Sequence, residues 1–492
     1  MNAYQKLKDR YTEIGNIFKA KRILSWDMQV MMPPDAAAER ASVMGAISAV
    51  LHEKETDPRI GEWLEQSESF VENEWDRRNL ELMKNSYFLL TKIPAKLVKN
   101  LEQQKAKATM LWRQAKQENN WLLVQPAIES VYALTKEKAA IHAEIYGGDL
   151  YDSQLGLFSR GNRQSKIAPL FALVEKELPS LVREITEKQN THPAPVFPAL
   201  STEKQLAIGR ELAGKIGYTP SRGRLDKGVS AFNSGTRNDG RIVSRFSEDK
   251  PTASLYSTMH EAGHAFYNWH IPEEWDCQPV GVINNELVLH ESQALILQRQ
   301  AGMHPGFIGY LHGLIEQHAP EFTAGKTSQD LITSLQQVKP GYIRVDADEV
   351  TYPLHILLRY DVEKKLFSGE MAIADIPEYW NERFRKMMGL EVTEPRLGCL
   401  QDVHWCKGLF GYFPTYTQGA IYAAQLFAAM KKAIPTIDDE LAQGDLSNFN
   451  QWLNQNVHHK GRLYDAPDLL ERATGEPPNA QYFLDHLKNR YL

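Results

Sequence analysis

The chain runs to 492 residues, 42% hydrophobic and 24% charged, a composition that excludes disorder and supports a large buried core. With 56 basic and 62 acidic residues the net charge is −6 and the basic residues are scattered, so no positive field draws in a phosphate backbone and nucleic acid is not an expected partner. Three cysteines, Cys277, Cys399 and Cys406, make no disulfide framework and fit a reducing, cytoplasmic setting.

The opening MNAYQKLKDRYTEIGNIFKAKRILSW alternates charged with apolar positions and lacks the continuous apolar core of a signal peptide. From there to about residue 190 the pattern is that of long amphipathic helices. One follows Pro94, with Leu97, Leu101, Ala108, Leu111, Trp112 and Ala115 at helical spacing among lysines and glutamines. The prolines of 191–198 remove backbone donors and bias their neighbours away from the helical region, which predicts a linker. Between Gly217 and Phe246 the chain turns to Gly, Ser and Asn, and a loop followed by a short strand over 241–246 is expected. Helical periodicity resumes near Ser254. The most apolar stretch, 408–430, is broken by Pro414 and carries Thr415, Thr417 and Gln418, so it reads as a buried loop and helix, with no membrane partner expected. Pro477-Pro478-Asn479 then feeds a last short helix. One domain over 1–492 is expected, with a helical front half at 1–190, a Pro-rich linker at 191–198 and a second half at 199–492.

The chemistry concentrates at His260-Glu261-Ala262-Gly263-His264. Histidines four apart leave one face of an α-helix together and can put two imidazole nitrogens on one tetrahedral ion, while the glutamate beside the first can reach water at that ion. Leu255, Met259, Ala262, Phe266 and Trp269 supply the apolar stripe that a buried helix of this kind needs. The bland alternative is an amphipathic helix with two hydrogen-bonded histidines. A catalytic zinc takes three protein ligands and keeps one position open. The downstream segment 284–293 offers Glu286, His290 and Glu291 for the third, and spacing alone does not choose among them. Cys399, His404 and Cys406 lie close together, but two thiols and one imidazole without a distal pair read as buried structural residues.

The order of motifs resembles the carboxypeptidase Taq family of zinc metallocarboxypeptidases over nearly the whole chain. It is carried by Ser25-Trp26-Asp27, Met31-Met32-Pro33-Pro34, the His260 to His264 motif, His290-Glu291-Ser292-Gln293, Ile343-Arg344-Val345-Asp346-Ala347-Asp348, Gly398-Cys399-Leu400-Gln401-Asp402-Val403-His404-Trp405, Tyr412-Phe413-Pro414-Thr415-Tyr416 and Thr474-Gly475-Glu476-Pro477. The resemblance implies that Glu291 is the third metal ligand. It also implies a mainly α, saddle-like fold with a deep groove and a small β-sheet at the groove wall, and a homodimer. Three segments depart from the family: Ser230-Ala231-Phe232 stands where it has His-Pro-Phe, Asp239-Gly240-Arg241-Ile242-Val243 where it has Asp-x-Arg-x-Thr, and Ala294-Leu295 where it has Ser-Arg.

The expected reaction is metal-assisted hydrolysis of the C-terminal peptide bond of peptides with a free C-terminus. Zn2+, with Co2+ as a possible substitute, would be held by His260, His264 and Glu291, with Glu261 as general base. His404 and Tyr412 are candidate donors to the oxyanion by their place in the family motifs. Arg344 first and Arg241 second are candidates to bind the substrate carboxylate, unless they form internal pairs with Asp348 and Asp239. An oligopeptidase or endopeptidase with the same metal site and a catalytically silent peptide-binding helical scaffold are the alternatives. The retained Glu261 argues against silence.

Overall fold

The apolar stripes of the front half fold as they read. The computed structural model describes residues 1–191, 193–283 and 286–492. Helices Ala3–Val30, Ala37–Glu55, Glu74–Thr91, Ala95–Glu118, Trp121–Tyr146 and Gln164–Gln189 make up most of the first 190 residues. In Ala95–Glu118 the side chains of Leu97, Leu101, Ala108 and Ala115 are buried, and Leu111 and Trp112 pack half-buried on the core, as the stripe predicts. A small apolar cluster of Tyr4, Leu7, Tyr11, Ile60, Leu64, Leu80 and Met83 ties the first helices together. The principal core contains Leu101 and Val131 from the front half and Leu255, Leu297, Ile421 and Tyr491 from the back half, so the two halves share it. Residues 193–198 lie in no helix or strand, and His192 of the expected linker lies outside the described residues. Among the described residues no helix is long and apolar enough to cross a membrane.

The Gly-, Ser- and Asn-rich stretch corrects one expectation. In place of a loop and one strand over 241–246, it forms three strands: β1 (Gly223–Lys227), β2 (Phe232–Thr236) and β3 (Asp239–Ser244). β3 is central, parallel to β1 with Gly223 opposite Gly240, and antiparallel to β2 with Phe232 opposite Val243. The sequence hid the outer strands because they are half-wet: only Leu225 of β1 and Gly235 of β2 are buried, so neither shows an apolar alternation. In β3, Ile242, Val243 and Ser244 are buried, and the strand ends there, two residues short of Phe246.

Against this sheet packs the helix Pro251–Trp269, which starts on a proline whose missing N–H costs nothing in the first turn. Buried residues lie almost all round it, as expected of a helix enclosed by neighbours. It crosses the helix Leu287–Leu295 so closely that a Cβ on Gly263 would sit 2.8 Å from the Gln293 carbonyl oxygen and 2.9 Å from Ala294 Cα. Leu287–Leu295 runs on as a π-helical stretch, Ile296–Ala301, and the helix Pro414–Ala433 packs on its other side. The last helix, Gln481–Tyr491, forms where the Pro-Pro-Asn stop predicts it.

One buried acid fixes the loop that leads into Pro414–Ala433. Glu363, on the helix Tyr352–Ser368, accepts from the Tyr151 hydroxyl at 2.9 Å, the Trp405 indole Nε1 at 2.9 Å and the Gly411 backbone N at 2.8 Å. Burial pushes its carboxyl up to about 7, against the pull of those three donors. The native state therefore keeps this proton between about pH 4.5 and 7, where the unfolded chain releases it, so the contribution of Glu363 to stability falls as pH rises through that window. Glu363→Gln should abolish this component. Thermal unfolding at pH 5 and pH 7 should show the parent losing more stability over the interval than the variant, and equal losses would contradict the assignment.

Candidate active site

His260 and His264 leave the buried face of Pro251–Trp269 one helical turn apart, and their Nε2 atoms approach to 3.1 Å. Glu291, from the first turns of Leu287–Leu295, brings Oε2 to 3.8 Å from each of them. Among the described residues these are the three side chains whose donor atoms converge in this way, all within 4.8 Å of one another. Bonds of about 2.0–2.2 Å to one tetrahedral ion place ligand atoms at such separations. The electrostatics fit a cation too. Burial pushes the Glu291 carboxyl up, against His260, and holds His264 well below its ordinary value, so a cation between them would meet a neutral His264 imidazole and would offset the cost of ionising Glu291. His260 Nδ1 lies 3.0 Å from Gln298 Oε1, which leaves the Nε2 lone pair facing the carboxylate.

The competing candidates point elsewhere. Glu286 is buried and paired with Arg462 through Nε at 3.3 Å and Nη2 at 3.2 Å. His290 stacks on His264 with centroids 4.1 Å apart, and burial, then Arg22, lower it to about 3. Asn284 and Asn285 of the same segment lie outside the described residues. Cys399 and Cys406 are free, buried thiols pushed up to about 12 by burial, and His404 turns to aromatic neighbours instead of to them.

Glu261 faces the same groove. Its carboxyl is raised, first by burial and further by Glu291, and it accepts a hydrogen bond from Asn233 Nδ2 of β2 at 3.3 Å. The groove, about 460 Å3, is lined by His260, Glu261, Glu291, Arg344, Tyr352 and Tyr416 among others, with Ala231 at the sheet side. Ala231, just before β2, and the Asn233 bond to Glu261 bring the edge of the sheet to the groove.

Arg344 reaches this groove, but its partner is Asp402 and not Asp348. Nε and Nη2 donate to Asp402 Oδ1 at 3.1 and 2.9 Å, and Nη1 donates to the Tyr352 hydroxyl at 2.6 Å. Arg359 donates to the other oxygen of Asp402 through Nε at 2.7 Å. Burial alone would raise the Asp402 carboxyl, yet Arg359 and Arg344 together hold it well below the usual carboxylate range. Two guanidiniums on one carboxylate leave this wall with a surplus positive charge. Arg241 pairs with Asp239 at 2.8–3.0 Å and lies over the Trp26 ring at 4.0 Å, apart from the residues that line the groove.

His404 packs its ring 4.4 Å from Phe413 and 5.5 Å from Tyr412, and burial lowers it to about 4 despite Asp402 nearby, so it is neutral at ordinary pH. Tyr412 sits 5.5 Å, ring to ring, from Tyr416. Tyr416 and Tyr352 are the tyrosines that line the groove. Sequence reasoning passed over both, although Tyr416 closes the Tyr412 to Tyr416 motif. Gln298 and Asn233 were also missed, because residues that orient a ligand carry no spacing signature of their own.

The family model described as carboxypeptidase Taq (M32) metallopeptidase matches residues 6–491. The chain is similar to thermostable carboxypeptidase 1 of Thermus thermophilus, 34% identical over 99% of this chain and 98% of that one. Among solved structures it resembles metallocarboxypeptidase 1 of Trypanosoma cruzi, with a TM-score of 0.95 at 30% identity over 99% of both chains. It also resembles the M32 carboxypeptidase of Deinococcus radiodurans R1, with a TM-score of 0.93 at 29% identity over 99% of this chain and 98% of that one.

A Cβ on Gly419 would lie 2.8 Å from Glu291 Cγ and 2.9 Å from its Cβ, so Gly419→Ala must displace the Glu291 side chain while leaving all three donors in the sequence. Retention of divalent metal against a graded chelator should weaken by roughly 10–100-fold, the usual effect of disturbing a ligand's support. Elemental analysis after dialysis, with circular dichroism as the check on folding, reads this out. Parent-like retention would show that Glu291 does not bind the ion.

Proposed function

Because the chain belongs to the carboxypeptidase Taq (M32) metallopeptidases, we propose that it hydrolyses the last peptide bond of peptides with a free C-terminus, with zinc held by His260, His264 and Glu291 and with Glu261 as general base. M32 membership carries a divalent metal; zinc in particular is supported by a donor set of two imidazoles and one carboxylate. The observation that carries the reading is the convergence of those three donors in one groove with the Glu261 carboxylate.

The bound ion supplies Lewis acidity, which acidifies water and polarises a carbonyl oxygen. Glu261 takes the proton of the attacking water on its carboxylate and returns it to the leaving amine nitrogen. Its raised carboxyl suits both transfers, and Asn233 keeps it turned toward the sheet side of the groove. Tyr416, beside Tyr412 and His404, offers a hydroxyl to the developing oxyanion. Arg344 has engaged three of its five N–H bonds with Asp402 and Tyr352, and the remaining two are free to take the substrate's terminal carboxylate. Because Asp402 and Tyr352 already fix the guanidinium plane, little rotamer freedom is lost when substrate binds. Cytoplasmic location, supported by three free thiols, and a homodimer, supported by the family resemblance, complete the reading.

Matched peptides with free and amidated C-termini test it. The parent should release residues one at a time from the free peptide and leave the amidated one nearly intact. Glu261→Gln, which keeps the shape and removes the proton acceptor, should lower turnover by about two orders of magnitude with metal retained. Internal cleavage of both peptides would replace the reading with an endopeptidase, and a Glu261→Gln variant within a few-fold of the parent would remove the base assignment.

A further inference from the structure

The groove holds a second guanidinium for which the proposed reaction has no use. Arg299 lies on the π-helical stretch Ile296–Ala301 and lines the same groove as His260, Glu261 and Arg344. Among the described residues it makes no hydrogen bond, ion pair or ring contact. The other candidate arginines contrast with it, since Arg344 is tied to Asp402 and Arg241 to Asp239. The acid that shares this end of the groove, Glu349, is already committed. Its Oε1 accepts from His486 Nε2 at 3.0 Å, and its Oε2 from Arg490 Nη1 and the Tyr491 hydroxyl, each at 3.0 Å. Arg490 and His486 hold Glu349 directly, whereas Arg299 acts on it only through its field, so two guanidiniums share one carboxylate and this end of the groove keeps a net positive charge.

A guanidinium in a groove wall with no bonded carboxylate keeps its fork of N–H donors available to the carboxylate of a ligand. Leu295, which also lines the groove, stands where the family pattern has arginine, and Arg299 follows four residues further along the same wall. The carboxylates it faces do not cancel it: Glu349 is paired, and Glu291 belongs to the metal donors.

We propose that Arg299 forms a subsite for an acidic side chain, so that the enzyme favours peptides carrying Asp or Glu among the residues next to the cleaved bond. The proposal rests on the carboxypeptidase reading, in which Arg344 takes the terminal carboxylate and leaves Arg299 for a second one. A planar fork of N–H donors suits a carboxylate better than any neutral side chain, and a charge-assisted pair in a partly dry groove strengthens binding by about ten- to a hundredfold.

The test uses peptide pairs that differ by Glu or Gln at each of the last four positions, with kcat/KM measured for the metal-loaded parent and variants. At one position the parent should prefer Glu over Gln by about tenfold or more. In Arg299→Gln that ratio should collapse toward one. In Arg299→Glu, a Lys peptide should replace the Glu peptide as the favoured substrate, which a purely structural role for Arg299 would not produce. A parent ratio near one at all four positions overturns the proposal. So does an Arg299→Gln variant that keeps the parent ratio, including one that loses activity equally on every peptide. A parent that releases no C-terminal residue from any of these peptides overturns the carboxypeptidase reading, and the subsite with it.

Discussion

The crossing of Pro251–Trp269 over Leu287–Leu295 sets the distances among the three donors of the proposed metal site. Two side chains on one helix fix two donors, but the third must come from another helix, and its reach depends on how closely the two backbones approach. Gly263 permits that approach by having no Cβ to meet the Gln293 carbonyl, and Gly419 lets the helix Pro414–Ala433 press on Glu291 from behind. Glu291 is confined between neighbours, and its carboxylate is held 3.8 Å from both imidazoles without an intervening hydrogen-bond donor. The buried helix supplies rigidity, which the proposed metal site, with one position left open, would need.

Around this crossing lie three sets of buried charge, of which those of Arg344 and Glu349 reach the groove. Arg344, Arg359 and Asp402 form one network, Glu349 with Arg490 and His486 a second, and Glu286 with Arg462 a third. Such networks contribute little net stability relative to well-packed apolar residues, but breaking one leaves a bare charge at a cost of about 3–5 kcal/mol. Their value here lies in orientation. Asp402 sets the plane of Arg344, and Gln298 sets the ring of His260. The π-helical turn after Leu295 brings Gln298, Arg299 and Gln300 to the groove in succession, which a regular helix would spread around its circumference.

What could be read from the sequence was what depends on short spacing. The pair His260 and His264 with Glu261 between them is a property of one helical turn, and the stripe of Leu97, Leu101, Ala108 and Ala115 is a property of one face. Glu291 was chosen by family resemblance, because the long chain between His264 and this segment can bring Glu286, His290 or Glu291 back to the two histidines with equal ease; the structure sends the other two to Arg462 and to a stacking role. The partner of Arg344 escaped a local reading because Asp402 lies 58 residues away, while Asp348 lies within the same motif. The outer strands escaped because edge strands at a groove wall are half-wet. Arg299 gave no signal, since a guanidinium without a bonded partner is visible only once all its neighbours are known.

The most direct test of the account is diffraction from crystals of the purified protein at the absorption edge of zinc, with a second data set below the edge. A single anomalous peak within bonding distance of His260 Nε2, His264 Nε2 and a Glu291 oxygen is expected, with Glu261 beside it and uncoordinated. A peak coordinated by His290, Glu286 or the cysteines, or no peak between the two helices in metal-replete crystals, would contradict it.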